Sequence, residues 1–310
     1  MFLKLENIHK EYSSKVAVDN LSMDIPRGVI YGIIGPNGAG KTTTIRMIMN
    51  ITIPDSGKIL IEGKQANKNF KNRVGYLPEE RGLYKKITLS EVLIYMAELK
   101  GYPAGKTKEK IDYWLKKVDL TDYKNKKVEE LSKGMQQKLQ FISTILHEPD
   151  LIILDEIFSG LDPLNIELIK DIIMEMKREG KTILFSTHVM EQAEKLCDYI
   201  CMISHGKKII DGKLTDVKAE FGKNSIQLDI DGDGSFISDL PGVNRVMEFN
   251  NYLELYLDKN TDTNTILKEI IDKVTVRRFD FMEPTLYNIF IDMAKVNPSE
   301  LKQEKEGMDV

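Results

Sequence analysis

The chain is 310 residues long, with 42% hydrophobic residues, 30% charged residues and a formal net charge of −4. This length suits two domains, and the composition is that of a globular protein with a sizeable core. The mild negative charge gives no general attraction to nucleic acid, so no nucleic-acid partner is expected. Two cysteines exclude a disulfide framework, and no apolar run reaches the roughly 20 residues that span a bilayer. We therefore expect a cytoplasmic protein that takes part in membrane processes only through a partner.

The first half of the chain predicts an α/β core. Residues 2–8 and 16–25 alternate like strands of an antiparallel sheet, and residues 29–35 form a compact apolar strand. The loop at 35–40 leads into a helix predicted over 41–50. Short apolar runs bounded by polar residues are typical of buried parallel strands. Further strands are predicted at 58–61, 73–77, 151–154 and 182–186.

The middle and the end of the chain add two further parts. Between about 86 and 148, apolar residues recur at three-to-four spacing, which predicts a helical insert. A helix over 164–178 makes the crossover between the last two core strands. From 224 on, the order strand, short helix, strand, strand, helix, strand, helix predicts a ferredoxin-like α+β domain. We expect a core domain at 1–215, an accessory domain at 224–296 and a polar tail at 297–310.

A phosphate-binding loop is the first motif that carries chemistry. Residues 35–43 match G-x-x-x-x-G-K-[ST] in full, with the required strand before the motif and helix after it. The glycines let backbone N–H groups converge on phosphates, and the helix N-terminus adds partial positive charge. Lys41 is expected to reach the β- and γ-phosphates, and the Thr42 hydroxyl to take a Mg²⁺ position. The predicted nucleotide contacts are Gly35, Pro36, Asn37, Gly38, Ala39, Gly40, Lys41, Thr42 and Thr43.

Two carboxylates follow the strand at 151–154. Asp155 and Glu156 stand at the carboxyl end of this strand, where ligands bind in such sheets. An ordinary acidic strand end is the alternative, and the phosphate loop in the same chain argues against it. Adjacent carboxylates repel unless metal and substrate charges compensate. We expect Asp155 to hold Mg²⁺ through water and Glu156 to polarise the attacking water.

These motifs and their order resemble the nucleotide-binding subunit of an ABC transporter over roughly residues 2–215. The segment Leu131-Ser-Lys-Gly-Met-Gln-Gln is similar to the family signature. This resemblance implies that Ser132 and the Gly134 amide grip the γ-phosphate of an ATP molecule bound by the opposite subunit. The active unit implied is a homodimer, or a heterodimer with a second ATP-binding subunit.

The resemblance extends to four further sites. Thr187-His188 is similar to the switch region, which implies that His188 contacts the γ-phosphate, although a lone His at a strand end is usually structural. Tyr12 lies where the family stacks an aromatic ring on adenine. Ser159-Gly-Leu-Asp is similar to the loop that links the two sites. Glu79, within Tyr76-Leu-Pro-Glu-Glu-Arg-Gly-Leu-Tyr, stands where the family usually has Gln, and it is expected to contact Mg²⁺ or the water.

Three other positions depart from the family pattern. Lys133 replaces a Gly, Met135 replaces a Gln, and Ile157 replaces the Pro that usually follows the acidic pair. Ser132 and Gly134 are retained, so the atoms that would grip the phosphate are present. Glu156 is also present, and we therefore expect genuine hydrolysis of ATP.

The predicted fold class is thus a P-loop NTPase core of the ABC type, with an antiparallel β subdomain and a helical insert, followed by a ferredoxin-like domain. The Glu79 segment and this appended domain resemble bacterial Na⁺-efflux-type ATPase subunits, whose permease is a separate polypeptide. This resemblance implies an ATPase at the cytoplasmic face of the membrane that powers export of an ion, drug or peptide. One alternative is an ABC-type ATPase that acts in translation or DNA repair. Another treats residues 225–295 as a ligand-sensing module.

Overall fold

The computed structural model of the chain describes residues 1–13, 15–65, 68–80, 82–221, 225–249, 251–258, 261–282 and 284–295. These residues fall into two compact units, one from Met1 to Lys213 and one that begins at Leu214. The polar tail predicted at 297–310 lies outside the described residues. Within the described ranges, no helix is long and apolar enough to cross a membrane.

The first unit combines two sheets with helices. Its strands are β1 Leu3–Tyr12, β2 Lys15–Ile25, β3 Ile30–Ile34, β4 Ser56–Ile61, β5 Lys64–Gln65, β6 Val74–Leu77, β7 Leu151–Asp155, β8 Thr182–Thr187, β9 Tyr199–Ser204 and β10 Lys207–Lys213. Its helices are α1 Lys41–Ile48, α2 Leu89–Leu99, α3 Ala104–Lys117, α4 Lys133–Ile145, α5 Pro163–Arg178 and α6 Met190–Leu196. Short 3₁₀ segments lie at Lys68–Arg73, Thr121–Tyr123 and Val128–Glu130.

The two sheets of this unit differ in pattern. The smaller sheet has the order β2-β1-β4-β5 and is antiparallel throughout. The larger sheet has the order β10-β9-β3-β8-β7-β6, and all its neighbours are parallel except β10, which runs antiparallel to β9. Every residue of β3, β7 and β8 is buried, as expected for parallel strands covered on both faces. Side chains from both sheets and from α1 share one core cluster, which includes Leu5, Ile33, Ile45, Ile153 and Leu184.

Local capping fixes where the helices near the sheet edge begin. The Thr88 side chain and Glu91 form a reciprocal capping box at the start of α2. Ser132 caps α4 by accepting the N–H of Met135, and Asp162 caps α5, which has a Pro at its first position. The last two caps place the segments at 131–135 and 159–162 at helix starts.

The second unit contains α7 Leu214–Glu220, β11 Ser225–Asp231, β12 Val243–Phe249, β13 Tyr252–Leu257, α8 Thr263–Ile271, β14 Thr275–Met282 and α9 Leu286–Lys295. The sheet order is β12-β13-β11-β14 with antiparallel neighbours, so β11 lies between β13 and β14. The first predicted helix of this domain is a short 3₁₀ segment, Ser235–Asp239, since Gly234 and Asp233 form a tight turn before it. Ile226, Leu228, Leu255 and Ile266 are central members of its core.

Candidate functional site

The phosphate-binding loop follows the carboxyl end of β3 and is closely packed by its neighbours. A Cβ on Gly35, which has φ +151°, would lie 2.0 Å from the carbonyl oxygen of Ile203. A Cβ on Gly40, with φ +105°, would lie 2.4 Å from the carbonyl oxygen of Ala17. Neither position therefore accepts a side chain, for steric as well as conformational reasons. The path of this loop is set by contacts with β2 and β9.

Lys41 is the first residue of α1, and its side chain lies back over the loop. Its Nζ donates hydrogen bonds to the carbonyl oxygens of Gly35 at 2.7 Å and Pro36 at 3.1 Å. The side chain is only 6% exposed, and burial lowers the pKa of Lys41 while the nearby carboxylate of Glu156 opposes this effect. The ammonium is thus held in the loop, where an anion can replace the two carbonyl partners.

Asp155 is the last residue of β7 and is fully buried. The hydroxyl of Ser186 donates a hydrogen bond to its Oδ1, and Thr42 Oγ1 lies 3.5 Å from the same oxygen. Asp155 Oδ2 is buried and has no hydrogen-bond partner among the described residues. Burial raises the pKa of Asp155, and the hydrogen bonds from Ser186 and Thr42 oppose this effect.

The free oxygen of Asp155 fits a metal site. An unsatisfied buried acceptor costs about 1–3 kcal/mol, so a native structure needs a reason to keep one. Carboxylate and hydroxyl oxygens together are the ligands that suit Mg²⁺, which retains several of its own waters. The donor set at Asp155 and Thr42 is therefore compatible with this ion.

Glu156 has an unusual backbone conformation directly beside Asp155. Its φ is +51°, a left-handed value that is uncommon for residues other than glycine. The Glu156 N–H donates to the carbonyl oxygen of Ser186 at 3.2 Å, which holds the residue in this conformation. Backbone strain of this kind is concentrated at functional sites. The conformation turns the carboxylate of Glu156 toward the phosphate loop.

The Glu156 carboxylate is contacted by two potential cations. His188 Nδ1 lies 3.0 Å from both carboxylate oxygens, and Lys41 Nζ lies 3.6 Å from Oε1. The Glu156 side chain is 10% exposed, whereas that of His188 is 47% exposed. The structure thus brings the predicted residues Lys41 and His188 together at the carboxylate of Glu156.

A cleft of about 380 Å³ lies over the loop. Glu79 and Glu156 line it, together with loop and α1 residues from 37 to 43. Lys15 and Ala17 also line the cleft, and the sequence analysis included neither. This volume lies within the range of small-molecule sites, and its lining combines residues of the glycine-rich loop with charged residues.

The predicted adenine-stacking residue lies beside this cleft. Tyr12 ends β1 and pairs across the sheet with Lys15, which itself lines the cleft. The Tyr12 ring is 46% exposed, and Lys10 Nζ lies 5.4 Å from the ring centre. One face of an aromatic ring is therefore accessible next to the phosphate loop.

The structure does not bring the signature residues into this cleft. Ser132 and Gly134 begin α4 and do not line it. Gly134 has open surroundings, since a Cβ placed there would meet its nearest atom, Asn165 Nδ2, at 3.8 Å. Ser132 is exposed, and its hydroxyl accepts the N–H of Met135 at 3.3 Å. Both residues are thus accessible on the surface of the first unit.

Two further residues that contact the predicted site or the segment after it were missed by sequence reasoning. Ser186 was taken only as the end of a strand, but its hydroxyl contacts Asp155 and its carbonyl holds Glu156. Gln137 is buried, and its Nε2 donates to the carbonyl oxygen of Ile157 at 2.8 Å. Ile157 is itself fully buried, so packing holds the segment where the family usually has Pro. No signal in the sequence alone identifies Ser186, because its contact with Asp155 depends on the parallel pairing of β7 with β8.

Comparison with protein families matches both parts of the chain. A family described as ABC transporter matches residues 18–159. A family described as the C-terminal domain of DrrA1-3-like ATP-binding proteins matches residues 212–294. The second match begins where the second unit begins, to within two residues.

Curated relatives and solved structures agree with these families. An uncharacterised ABC transporter ATP-binding protein of Bacillus subtilis, YhaQ, is 42% identical over 290 residues, which are 94% of this chain and 97% of the relative. Nod factor export ATP-binding protein I of Ralstonia nicotianae is 37% identical, covering 68% of this chain and 67% of the relative. A solved ATP-binding subunit of an ABC transporter has 32% identity and a TM-score of 0.67, covering 71% of this chain and 93% of that structure.

Proposed function

Because the chain belongs to the ABC transporter family of ATP-binding subunits, we propose that it powers export through a separate membrane permease, as one half of an ATP-bound dimer. Like the other members of this family, it is an ATPase, and the predictions of family, fold class and enzyme class are confirmed. The observation that carries the proposal is the Glu156 carboxylate, held by His188 beside Lys41 at the mouth of the phosphate loop.

Binding of ATP is assigned to the loop and its lysine. Residues 37–43 line the cleft, and the N-terminus of α1 contributes partial positive charge to the phosphates. Lys41 exchanges its two carbonyl partners for the β- and γ-phosphates, since a charged acceptor binds an ammonium more strongly than a neutral one. Tyr12 stacks on the adenine ring and Lys15 adds a further cation beside it.

Thr42 and Asp155 are the proposed ligands of Mg²⁺, directly and through water. The ion supplies charge neutralisation at the β- and γ-phosphates when it is bound. The Ser186 hydroxyl donates to Oδ1 and so orients Asp155, while Oδ2 is buried without a hydrogen-bond partner among the described residues. Glu79 is placed to contact the ion or the attacking water, since it lines the same cleft.

Glu156 is the proposed general base of hydrolysis. Its carboxylate is oriented by His188 and by a backbone fixed at Ser186. A water placed between Glu156 and the γ-phosphate would be polarised by this carboxylate, and His188 would contact the γ-phosphate. General bases of this kind contribute about 10²–10⁴-fold to rate.

A second subunit is needed to complete the site in this proposal. Ser132 and Gly134 are accessible but do not line the cleft of their own chain. The Ser132 hydroxyl and the Gly134 N–H, at the start of α4, form the kind of group that binds a phosphate. Each chain would therefore supply Lys41 to one ATP and Ser132 to the other. A homodimer and a heterodimer with another ATP-binding subunit both fit this arrangement.

The family supports the proposed partner and location. ATP-binding subunits of transporters act with membrane permeases, and the chain would associate peripherally with the cytoplasmic face of the membrane through such a permease. The name of the Ralstonia relative supports export as the direction of transport. An ion, a drug or a peptide remain the candidate classes of exported compound.

The proposal is tested by purifying the tagged chain from membranes and measuring ATP hydrolysis by the preparation. We expect a polytopic membrane protein to co-purify, and Lys41→Ala to abolish hydrolysis. Lys106→Ala is the matched control, since Lys106 is exposed on α3 and does not line the cleft. Recovery of the active ATPase with no membrane protein, from membranes and from cytosol alike, would contradict the assignment to transport.

A further inference from the structure

A cavity lies in the second unit, and none of its lining residues belongs to the nucleotide site. It measures about 890 Å³ and lies where β11 ends, between the β12–β13 hairpin and the turn that leads into the 3₁₀ segment. This volume is within the range of sites that bind small organic molecules. The proposed ATPase mechanism uses no residue of this cavity.

The floor of the cavity is an uncovered end of the hydrophobic core. Ile230, Val246 and Leu253 line it, and each packs against the core cluster while remaining only half-buried. Gly234 leaves this floor open, because a Cβ there would lie 2.8 Å from Ile230 Cδ1 and 3.1 Å from Leu253 Cδ1. Covering apolar surface of this kind is favourable, so the floor suits the apolar body of a ligand.

The rim of the cavity carries negative charge. Asp229, Asp233 and Glu248 line it, against one cation, Arg277. Arg277 is already engaged by Asp231, to which its Nε donates at 2.7 Å, and this ion pair raises the pKa of Arg277. A cationic group that entered the cavity would therefore meet carboxylates without a competing free cation among the described residues.

Two aromatic rings complete the rim. Phe249 and Tyr252 both line the cavity and stack with centroids 4.7 Å apart and planes 17° apart. Phe249 is 39% exposed, although a phenyl ring has no polar group that benefits from water. Aromatic faces attract both apolar rings and cations, so the pair fits the same ligand as the floor and the carboxylates.

We propose that this cavity binds an organic cation with an apolar body. The apolar part lies on Ile230, Val246 and Leu253, and the positive charge lies near Glu248 and the aromatic pair. Every residue that lines the cavity belongs to the second unit, so this proposal is separate from the assignment of the nucleotide site.

The proposal is tested by isothermal titration of the full chain with two ions of the same shape and opposite charge. Tetraphenylphosphonium is the cationic probe and tetraphenylborate is the anionic one. We expect the phosphonium to bind about fivefold more tightly, since one ion-pair contact near a surface contributes up to about a factor of five. Equal affinity for the two ions, or no heat of binding for the phosphonium at millimolar concentration, would overturn the proposal.

A charge reversal locates the site. Glu248 is exposed, so Glu248→Lys is compatible with the fold and places a cation at the rim. We expect phosphonium affinity to fall about tenfold and borate affinity to rise. Asp239→Lys is the matched control, since Asp239 is exposed in the same unit but does not line the cavity. Equal loss in both variants, or no loss in Glu248→Lys, would show that the phosphonium binds elsewhere and contradict the proposal.

Discussion

The replacement Glu156→Gln isolates the proposed general base from every other part of the site. Glutamine has the same shape as glutamate, and the backbone at this position is held by the N–H of residue 156 on the carbonyl of Ser186. His188 can still contact the side-chain oxygen, and Lys41 keeps its hydrogen bonds to Gly35 and Pro36. The change therefore removes one negative charge and one proton acceptor with little change of geometry.

The expected effect on rate is large and the effect on binding is small. A positioned base contributes about 10²–10⁴-fold, so the rate of hydrolysis should fall by at least about 100-fold. That fall corresponds to about 3 kcal/mol of transition-state free energy. Affinity for ATP should stay equal or rise, because the variant removes a carboxylate that lies 3.6 Å from Lys41 and repels the incoming phosphates.

Two measurements on one purified preparation separate these effects. Equilibrium dialysis with ATP gives the dissociation constant, and release of inorganic phosphate gives the rate. Glu80→Gln is the matched control, since Glu80 is the exposed neighbour of Glu79 and does not line the cleft. If Glu156→Gln hydrolysed ATP within threefold of the unmodified chain, Glu156 would not be the base.

Three further predictions concern other parts of the first unit. Gly35→Ala should abolish ATP binding, measured by dialysis, because its Cβ would lie 2.0 Å from a carbonyl oxygen. Gly38→Ala has nothing within 4 Å of its Cβ and should retain ATP binding. Its positive φ should lower the free energy of unfolding by only about 1 kcal/mol. Ser132→Arg should leave ATP binding intact yet reduce phosphate release to background, and normal hydrolysis in this variant would exclude a role in a second phosphate contact. Burial lowers the pKa of His147 to about 4, below its ordinary 6.5, so stability is full above pH 6.5 and is lost as pH falls toward 4. The loss is on the order of 2 kcal/mol after allowance for partial exposure. His147→Gln should reduce the change in the free energy of unfolding, measured with urea, between pH 6.5 and pH 4. An unchanged dependence on pH would contradict the prediction.

The parts of the fold that sequence predicted well are those with strong local patterns. Strand β3, the loop after it and α1 belong to one sequence motif. The apolar run, glycines and lysine of this motif predict a strand, a phosphate-binding loop and a helix in that order. The structure ends α1 at Ile48, two residues before the predicted end, which is ordinary uncertainty at a helix terminus. In the second unit the alternation of apolar residues predicted each strand of the sheet.

Parts that depend on long-range pairing were not predictable from one sequence. The hairpin of β9 and β10 was not assigned, because β9 is defined by its parallel pairing with β3, more than 160 residues earlier. Lys15 reaches the cleft only because β1 and β2 pair in a register that sets it beside Tyr12.

The contact of Ser186 with Asp155 has the same origin. Two parallel strands place these residues side by side, although they are 31 positions apart in the chain. Local propensity carries no information about such neighbours. The geometry supports the roles proposed for Lys41, Asp155 and Glu156.

The claim at the centre of this account is that ATP joins two chains, each supplying Ser132 to the other. Sedimentation of the Glu156→Gln chain with and without Mg·ATP tests it most directly, because a trapped complex cannot turn over. We predict a shift from the 35.5 kDa chain to twice that mass when ATP is added, and no shift when Ser132→Arg is present on the same chain. A monomer under all conditions, or an ATP-dependent dimer that forms equally well with Ser132→Arg, would contradict it.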